Sequence, residues 1–279
     1  MTSKGDPVTT GQTAETGADP RHVFGEERRR EIQSLVQAHG RVRVRDVAIQ
    51  LGVTEATVRK DIADLDRMHL LKRTHGGAIA LRPLYEPAIS DRGDVNPGGK
   101  EIVAAAAMTL IADGDAIFLD SGTANAALAA TLAGVGGPVN VNILTNSVDV
   151  ANRVAFSGNL RHTVLGGQFR RLGGCFTGPL TVSSLEQFTL NTAFIGVSGF
   201  ADNGFTVSDI GEAQVKRAAM DQARRIVVLM DQTKMGITDF VRFCDLDRVD
   251  VVVTDESNPI LERLCADNEV ELLVGAPDR

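Results

Sequence analysis

The 279-residue chain has no tryptophan, one tyrosine and three cysteines. Cys175, Cys244 and Cys265 are too few and too scattered for a disulfide framework or a thiolate zinc site, which suits a reducing compartment. No apolar run approaches the roughly 20 residues that a membrane span needs, and the first twenty residues lack the hydrophobic segment of a secretion signal. No membrane partner is therefore expected, and the expected location is the cytoplasm. There is neither a Gly-x-Gly-x-x-Gly fingerprint nor a Gly-Lys-Ser/Thr phosphate loop, so no cofactor is assigned, and no metal site or catalytic residue either. A composition of 43% hydrophobic and 23% charged residues excludes collagen, mucin-like stalks and a wholly disordered chain. The length favours two folded parts plus a tail over one domain.

The net charge of -7 is unevenly spread. Residues 1–20 carry -2, residues 21–82 carry +5 from 13 Lys and Arg against 8 acids, and residues 83–279 carry -10 from 15 against 25. A small basic module is thus attached to an acidic body. Such a module gathers phosphates and releases counterions, while the body repels DNA. Positive surface that merely aids solubility is the competing explanation.

Residues 1–23, rich in Thr, Gly, Asp and Pro without apolar periodicity, are expected to be a disordered leader. Residues 26–38 place Ile32, Leu35 and Val36 on one helical stripe, with the Arg28 to Arg30 run pointing partly toward solvent. A short alternating stretch follows, then a helix over about 46–51, a tight turn at Gly52-Val53 and a longer helix over 55–68. Val47, Ala48 and Leu51 line the first of these two helices, and Val58, Ile62 and Leu65 the second. Thr54 is the natural cap of the second. That leaves Glu55, Thr57, Arg59 and Lys60 near an exposed helix start, where hydroxyl and basic side chains reach base edges or phosphates.

Two short strands joined near residues 74–77 come next, with Lys72, Arg73 and His75 around the tip, as in a wing that touches the DNA backbone or a minor groove. For His75 an ordinary polar turn is an equal reading. The run Val53-Thr-Glu-Ala-Thr-Val-Arg-Lys-Asp-Ile62, followed by Leu71-Lys-Arg-Thr-His-Gly-Gly-Ala78, resembles the N-terminal module of the DeoR family of bacterial transcriptional regulators. The match spans about residues 24–79, with mild departures at Thr54, Lys60 and Ile62, where members commonly have Ser, Arg and Leu.

Past a Pro- and Gly-containing connector over 82–99, alternating helices and apolar strands mark an open α/β body over 100–279. NVNILTNS, RHTVLGG, TAFIGVSG, RIVVLMDQTK and VDVVVTDE each end a strand in small or polar residues, where ligands bind in such sheets. Asp120, Ser121, Gly122 and Thr123 precede a helix expected to begin near Asn125, and are suited to cradle a phosphate. A structural strand-to-helix turn competes with that reading. Asn146, Gly166, Gly167, Asp231 and Lys234 sit at other strand ends. Asp209, Glu212 and Lys216 share a helix face, as they would on a solvated ion-pair helix too.

The body also resembles the DeoR-type effector domain over about residues 100–254, on DSGTA at 120–124, TNS at 145–147, LGG at 165–167, FIGVSGF at 194–200, SDIGEAQVKR at 208–217 and DQTK at 231–234. Ala124 departs from the second Thr of the usual DSGTT. The resemblance implies a winged helix-turn-helix at 24–81 joined to a sugar-phosphate sensor over 100–279, similar to ribose-phosphate isomerases. Asp120 to Thr123 would then form the anion loop, Asn146 would orient the sugar, Lys234 would meet oxygen atoms of the ligand, and Glu212 and Lys216 would be relatives of isomerase polar groups without a catalytic step. The implied function is repression of a carbohydrate-utilisation operon, relieved by a phosphorylated sugar. The implied partners are double-stranded operator DNA, that effector and further copies of the chain as dimer or tetramer. A transcriptional activator or dual regulator with the same ligand class, and a sugar-phosphate isomerase-like enzyme, are the alternatives.

Overall fold

In the computed structural model, which describes residues 25–39, 41–68, 70–74, 76–79, 89, 95–201 and 204–276, the chain divides after Arg82 into two units. The leader expected at residues 1–23, His75, and residues 82–88 and 90–94 of the expected connector lie outside the described residues.

The first unit runs α1 (Gly25–His39), β1 (Arg41–Arg43), α2 (Val44–Gln50), α3 (Glu55–Arg67), β2 (Lys72–Thr74) and β3 (Gly77–Ile79). Ile32, Val36, Val47, Val58, Ile62, Leu65, Leu71 and Ala78 are in its core, so most of the helical positions read from the sequence are buried, while Leu35 of the first stripe is only half-buried. Gly52 adopts φ +64, which a side chain resists, and lets α2 and α3 meet across the turn. The alternating stretch before α2 proves to be β1, paired antiparallel with β3 in a sheet ordered β1-β3-β2. The helix expected from residue 46 begins at Val44, whose buried side chain and N–H, donated to Gly76 O at 2.9 Å, fix it against the wing.

The arginine run of α1 does more than face water. Arg28 Nε donates to Asp61 Oδ2 at 2.6 Å, and Arg29 Nη1 lies 3.7 Å from the other oxygen. Asp61 is a buried carboxylate on α3, so this pairing ties the first helix to the third.

The second unit contains α4 (Pro97–Met108), β4 (Ala116–Leu119), α5 (Thr123–Leu132), β5 (Val141–Thr145), α6 (Val148–Val154), β6 (Leu160–Val164), β7 (Gln168–Arg170), β8 (Cys175–Thr177) and α7 (Pro179–Leu185). It continues with β9 (Leu190–Gly196), β10 (Gly199–Ala201), β11 (Gly204–Val207), α8 (Ile210–Gln222), β12 (Ala223–Leu229), β13 (Val241–Asp245), β14 (Val251–Thr254), α9 (Pro259–Asp267) and β15 (Glu271–Val274). Seven strands form a parallel sheet ordered β15-β14-β12-β9-β4-β5-β6.

Both faces of this sheet are covered. Val103, Ala107, Leu128 and Val150 of α4, α5 and α6 pack on one side, and Ala213, Val215, Leu261 and Cys265 of α8 and α9 on the other. That is why the central strands β4, β9, β12 and β14 carry continuous buried apolar runs rather than alternating ones. The strand order reverses between β4 and β9, and a crevice beyond the carboxyl ends of strands at such a reversal is where open α/β sheets take ligands.

Candidate functional site

Two sets of side chains carry chemistry, one in each unit. In the first, Thr54 caps α3 by accepting from Thr57 N at 3.2 Å, and the two hydroxyls lie 2.9 Å apart. Arg59 Nη2 donates to Glu55 Oε2 at 2.6 Å across one exposed turn, and Lys60 is exposed beside it. Lys72 and Arg73 are exposed on β2. The wing is held to α3 by Arg73 N, which donates to Asp66 Oδ1 at 3.0 Å. Arg59 and Arg73 line one small hollow with Val44, Ile62, Thr74 and Gly77. The helix start and the wing therefore converge on one basic surface. Arg43 and Arg45 are exposed where β1 meets α2, and were not singled out in the sequence because their stretch carried no motif.

The second set gathers at the sheet reversal. Asp120 follows β4, and its Oδ2 accepts from Gly196 N of β9 at 3.0 Å and from Lys216 Nζ. The two partners are 1% and 2% exposed, so they form a buried ion pair beneath the loop. The solvated helix that Asp209, Glu212 and Lys216 also allowed is thus excluded. Burial opposes the charge of Lys216, yet Asp120 and Glu212 outweigh it and hold the ammonium pKa above its ordinary value.

Asp209 caps α8 through Glu212 N at 3.0 Å, and the buried Glu212 carboxylate accepts from Arg170 Nη1 at 2.9 Å. Cys175 Sγ lies 3.9 Å from the same Glu212 oxygen. Burial first, and Glu212 next, push the thiol up to about 12.

The loop above this pair leads into α5, which begins at Thr123, earlier than expected. Gly122 is its N-cap at φ +123, and no side chain caps the first turn. Asn125, fully buried, ties the helix to β9 with its amide turned to donate to Phe194 O at 3.1 Å and accept from Gly196 N at 3.3 Å. Thr145 of β5 is in register with Leu119, which sets Asn146 beside Asp120. Asn146 Nδ2 donates to Phe176 O at 2.9 Å, but its buried Oδ1 has no hydrogen-bond partner. Thr123 also borders a cleft of about 710 Å³ with Lys100, Ala126, Ala127 and Ile89.

The other strand-end residues divide. Gly166 O accepts from Thr181 Oγ1 at 2.9 Å, and a side chain at Gly167 would overlap Thr181 and Thr177, so packing alone accounts for this pair. Asp231 is buried and caps a short 3-10 turn, Gln232–Lys234, by accepting from Thr233 N at 2.9 Å. Lys234 is half-buried and has no ion-pair partner among the described residues, and no hydrogen bond joins it to the Asp120 and Lys216 pair. Sequence reasoning passed over Arg170 and Cys175, whose partner Glu212 lies about forty positions away with no local signal.

A helix-turn-helix unit with a basic face, joined to an α/β body with a polar crevice at its strand reversal, defines a DNA-binding transcriptional regulator with a sensor domain. Residues 28–83 match the DeoR-like helix-turn-helix domain and residues 95–256 the DeoR C terminal sensor domain, and the chain belongs to the DeoR family. That family consists of transcriptional regulators, not enzymes.

The chain is 29% identical to the HTH-type transcriptional repressor GlcR of Bacillus subtilis, over 92% of this chain and 98% of that one. It is 32% identical to a lactose phosphotransferase system repressor of Staphylococcus epidermidis over 82% and 91%, and 28% identical to the glycerol-3-phosphate regulon repressor of Escherichia coli over 86% and 95%. Among solved structures, a D-ribose-5-phosphate isomerase in complex with phospho-erythronic acid aligns over 49% of this chain and 52% of that one, at 16% identity and a TM-score of 0.37. At that distance the likeness defines no function. No helix among the described residues is long and apolar enough to cross a membrane.

Proposed function

We propose that this chain represses a carbohydrate-utilisation operon and leaves its operator when a phosphorylated sugar binds the body. The observation that carries the reading is Asn146 Oδ1, a buried acceptor without a partner beside a helix start that no side chain caps. A ligand hydroxyl satisfies the first, and a phosphate the N–H groups of the second. The relatives named as repressors of glycerol-3-phosphate and lactose phosphotransferase genes support the direction and the ligand class. In this proposal residues 24–81 are the DNA-reading domain and residues 100–279 the sensor, of the ribose-phosphate isomerase type.

Thr54, Glu55, Thr57, Arg59, Lys60, Lys72, Arg73 and His75 make the DNA face. Ser121, Gly122 and Thr123 hold the phosphate, with Asp120 and Lys216 as the pillar that fixes their loop. Asn146 and Glu212 accept from sugar hydroxyls, and Lys234 supplies an unneutralised cation at the rim. Paired copies of a small module engage repeated half-sites, which favours a homo-oligomer.

The test is a gel-shift series with the full chain and its own upstream DNA. The complex should dissociate as the matching sugar phosphate is titrated in, and Lys234→Ala should need more of it with operator affinity unchanged. A broad panel that binds nothing and releases nothing rejects the switch.

A further inference from the structure

Among the described residues, the cluster sets the carboxylates of Asp120, Asp209 and Glu212 beside the cations Lys216 and Arg170. A phosphate ester entering beside these carboxylates gains by drawing a cation away from one of them. Lys216 is sealed beneath the loop. Arg170 is 15% exposed, and its planar fork, now shared between Glu212 at 2.9 Å and Asp209 at 3.2 Å, suits a phosphate as well as a carboxylate. Of these two cations it is the one able to change partners.

Arg170 also stands on an element that reaches elsewhere. Strands β7 and β8 form a hairpin whose second strand is docked on the tip of β5, where Phe176 N donates to Asn146 O at 2.8 Å and Val148 N to Gly174 O at 3.0 Å. Inside the turn a side chain at Gly173 would overlap Glu212, Cys175 and Arg170, so the turn lies directly on the cluster. On its other side Leu172 O accepts from Ile89 N at 2.9 Å, and Ile89 Cγ2 packs where a side chain at Gly174 would begin. Ile89 lies in the connector between the DNA module and the body, and borders the cleft that Thr123 also lines.

We infer that Arg170 is a phosphate ligand of the sensor and the clasp of its switch. With no effector bound it pairs with Glu212 and Asp209 and holds the β7–β8 hairpin against Ile89. A phosphorylated effector draws the guanidinium away, its hydroxyls replace Arg170 as donors to Glu212, and the hairpin lets go of the connector. Ligand binding then favours the released arrangement through interactions made only there, which a switch requires. This inference rests on the sugar-phosphate reading for its ligand, but its mechanical half does not.

Site-resolved hydrogen exchange on the full chain separates the two. In Arg170→Met without ligand, the Ile89 amide should exchange on the order of tenfold faster while amides of the central strands β9 and β12 keep their rates. An unchanged Ile89 rate overturns the clasp. If Arg170→Met loosens the central strands as well, Arg170→Lys, which keeps a charge but not the fork, is judged by the same criterion.

The ligand arm uses D-glucose 6-phosphate, sn-glycerol 3-phosphate and inorganic phosphate. A probe that binds wild type should raise the Ile89 rate toward that of Arg170→Met and bind the variant at least tenfold more weakly. If no probe binds wild type but Arg170→Met frees Ile89, the sugar-phosphate reading fails and the clasp stands. If a probe binds and releases the operator while Ile89 keeps its rate, the clasp fails and the reading stands.

Discussion

Lys216→Met removes the ammonium from beneath the anion loop and leaves the Asp120 carboxylate, 1% exposed, with Gly196 N at 3.0 Å as its remaining strong donor. Breaking a buried ion pair by removing one partner costs about 3–5 kcal/mol.

The pair also gives the wild type a pH dependence on the alkaline side. The Lys216 pKa is raised, so the stability this lysine contributes is complete below about 10.4, the ordinary lysine value, and lost only as pH rises through the higher folded value. With no tryptophan in the chain, urea unfolding is followed by circular dichroism, resolving the transition of the sensor unit. The double variant Asp120→Asn with Lys216→Met should recover most of the loss, since no uncompensated charge remains. A loss below about 1 kcal/mol at pH 7, or a double variant no more stable than Lys216→Met alone, refutes a pair that is both buried and coupled.

Three further outcomes follow from other parts of the molecule. Arg59→Ala with Lys60→Ala should lower operator affinity by about 1–3 kcal/mol for each base edge that is no longer read and flatten its salt dependence, measured by fluorescence anisotropy, while effector binding is unchanged. Asp61→Ala removes the buried acceptor that ties α1 to α3 and should cost the DNA-binding unit about 1.5–3 kcal/mol in thermal or urea unfolding, against less than about 0.5 kcal/mol for an exposed control such as Asp46→Ala. Cys175, with its thiol pushed up to about 12, should resist iodoacetamide at pH 8 in the folded chain and react on unfolding, as read by mass spectrometry.

The parts of this architecture that were legible in the sequence are those set by neighbours along the chain. Spacings of three and four put Val58, Ile62 and Leu65 on one face of α3, Gly52 permits the turn, and Thr54 caps the helix it precedes. The strand ends of the body were legible for the same reason, since a parallel strand buried on both faces is a short apolar run that stops where polar residues begin. What escaped reading is long-range pairing. Arg28 and Asp61 are 33 positions apart, Arg170 and Glu212 are 42 apart, and Asp120 and Lys216 are 96 apart.

The two carboxylates that end strands show why local chemistry alone does not assign roles. Asp120 and Asp231 each follow an apolar strand and each precede a polar loop, and the sequence offers the same grounds for placing either against a ligand. In the fold Asp231 turns back to cap its own 3-10 turn, whereas Asp120 reaches across the strand reversal to Gly196 and Lys216. Only the order of strands in the sheet distinguishes them, because it brings β9 beside β4 and so supplies Asp120 with a partner from a helix distant in sequence. A carboxylate that caps its own turn has its hydrogen bonds satisfied locally. One spent across the reversal couples two halves of the sheet, so any ligand that reorganises the loop above it acts on both halves at once.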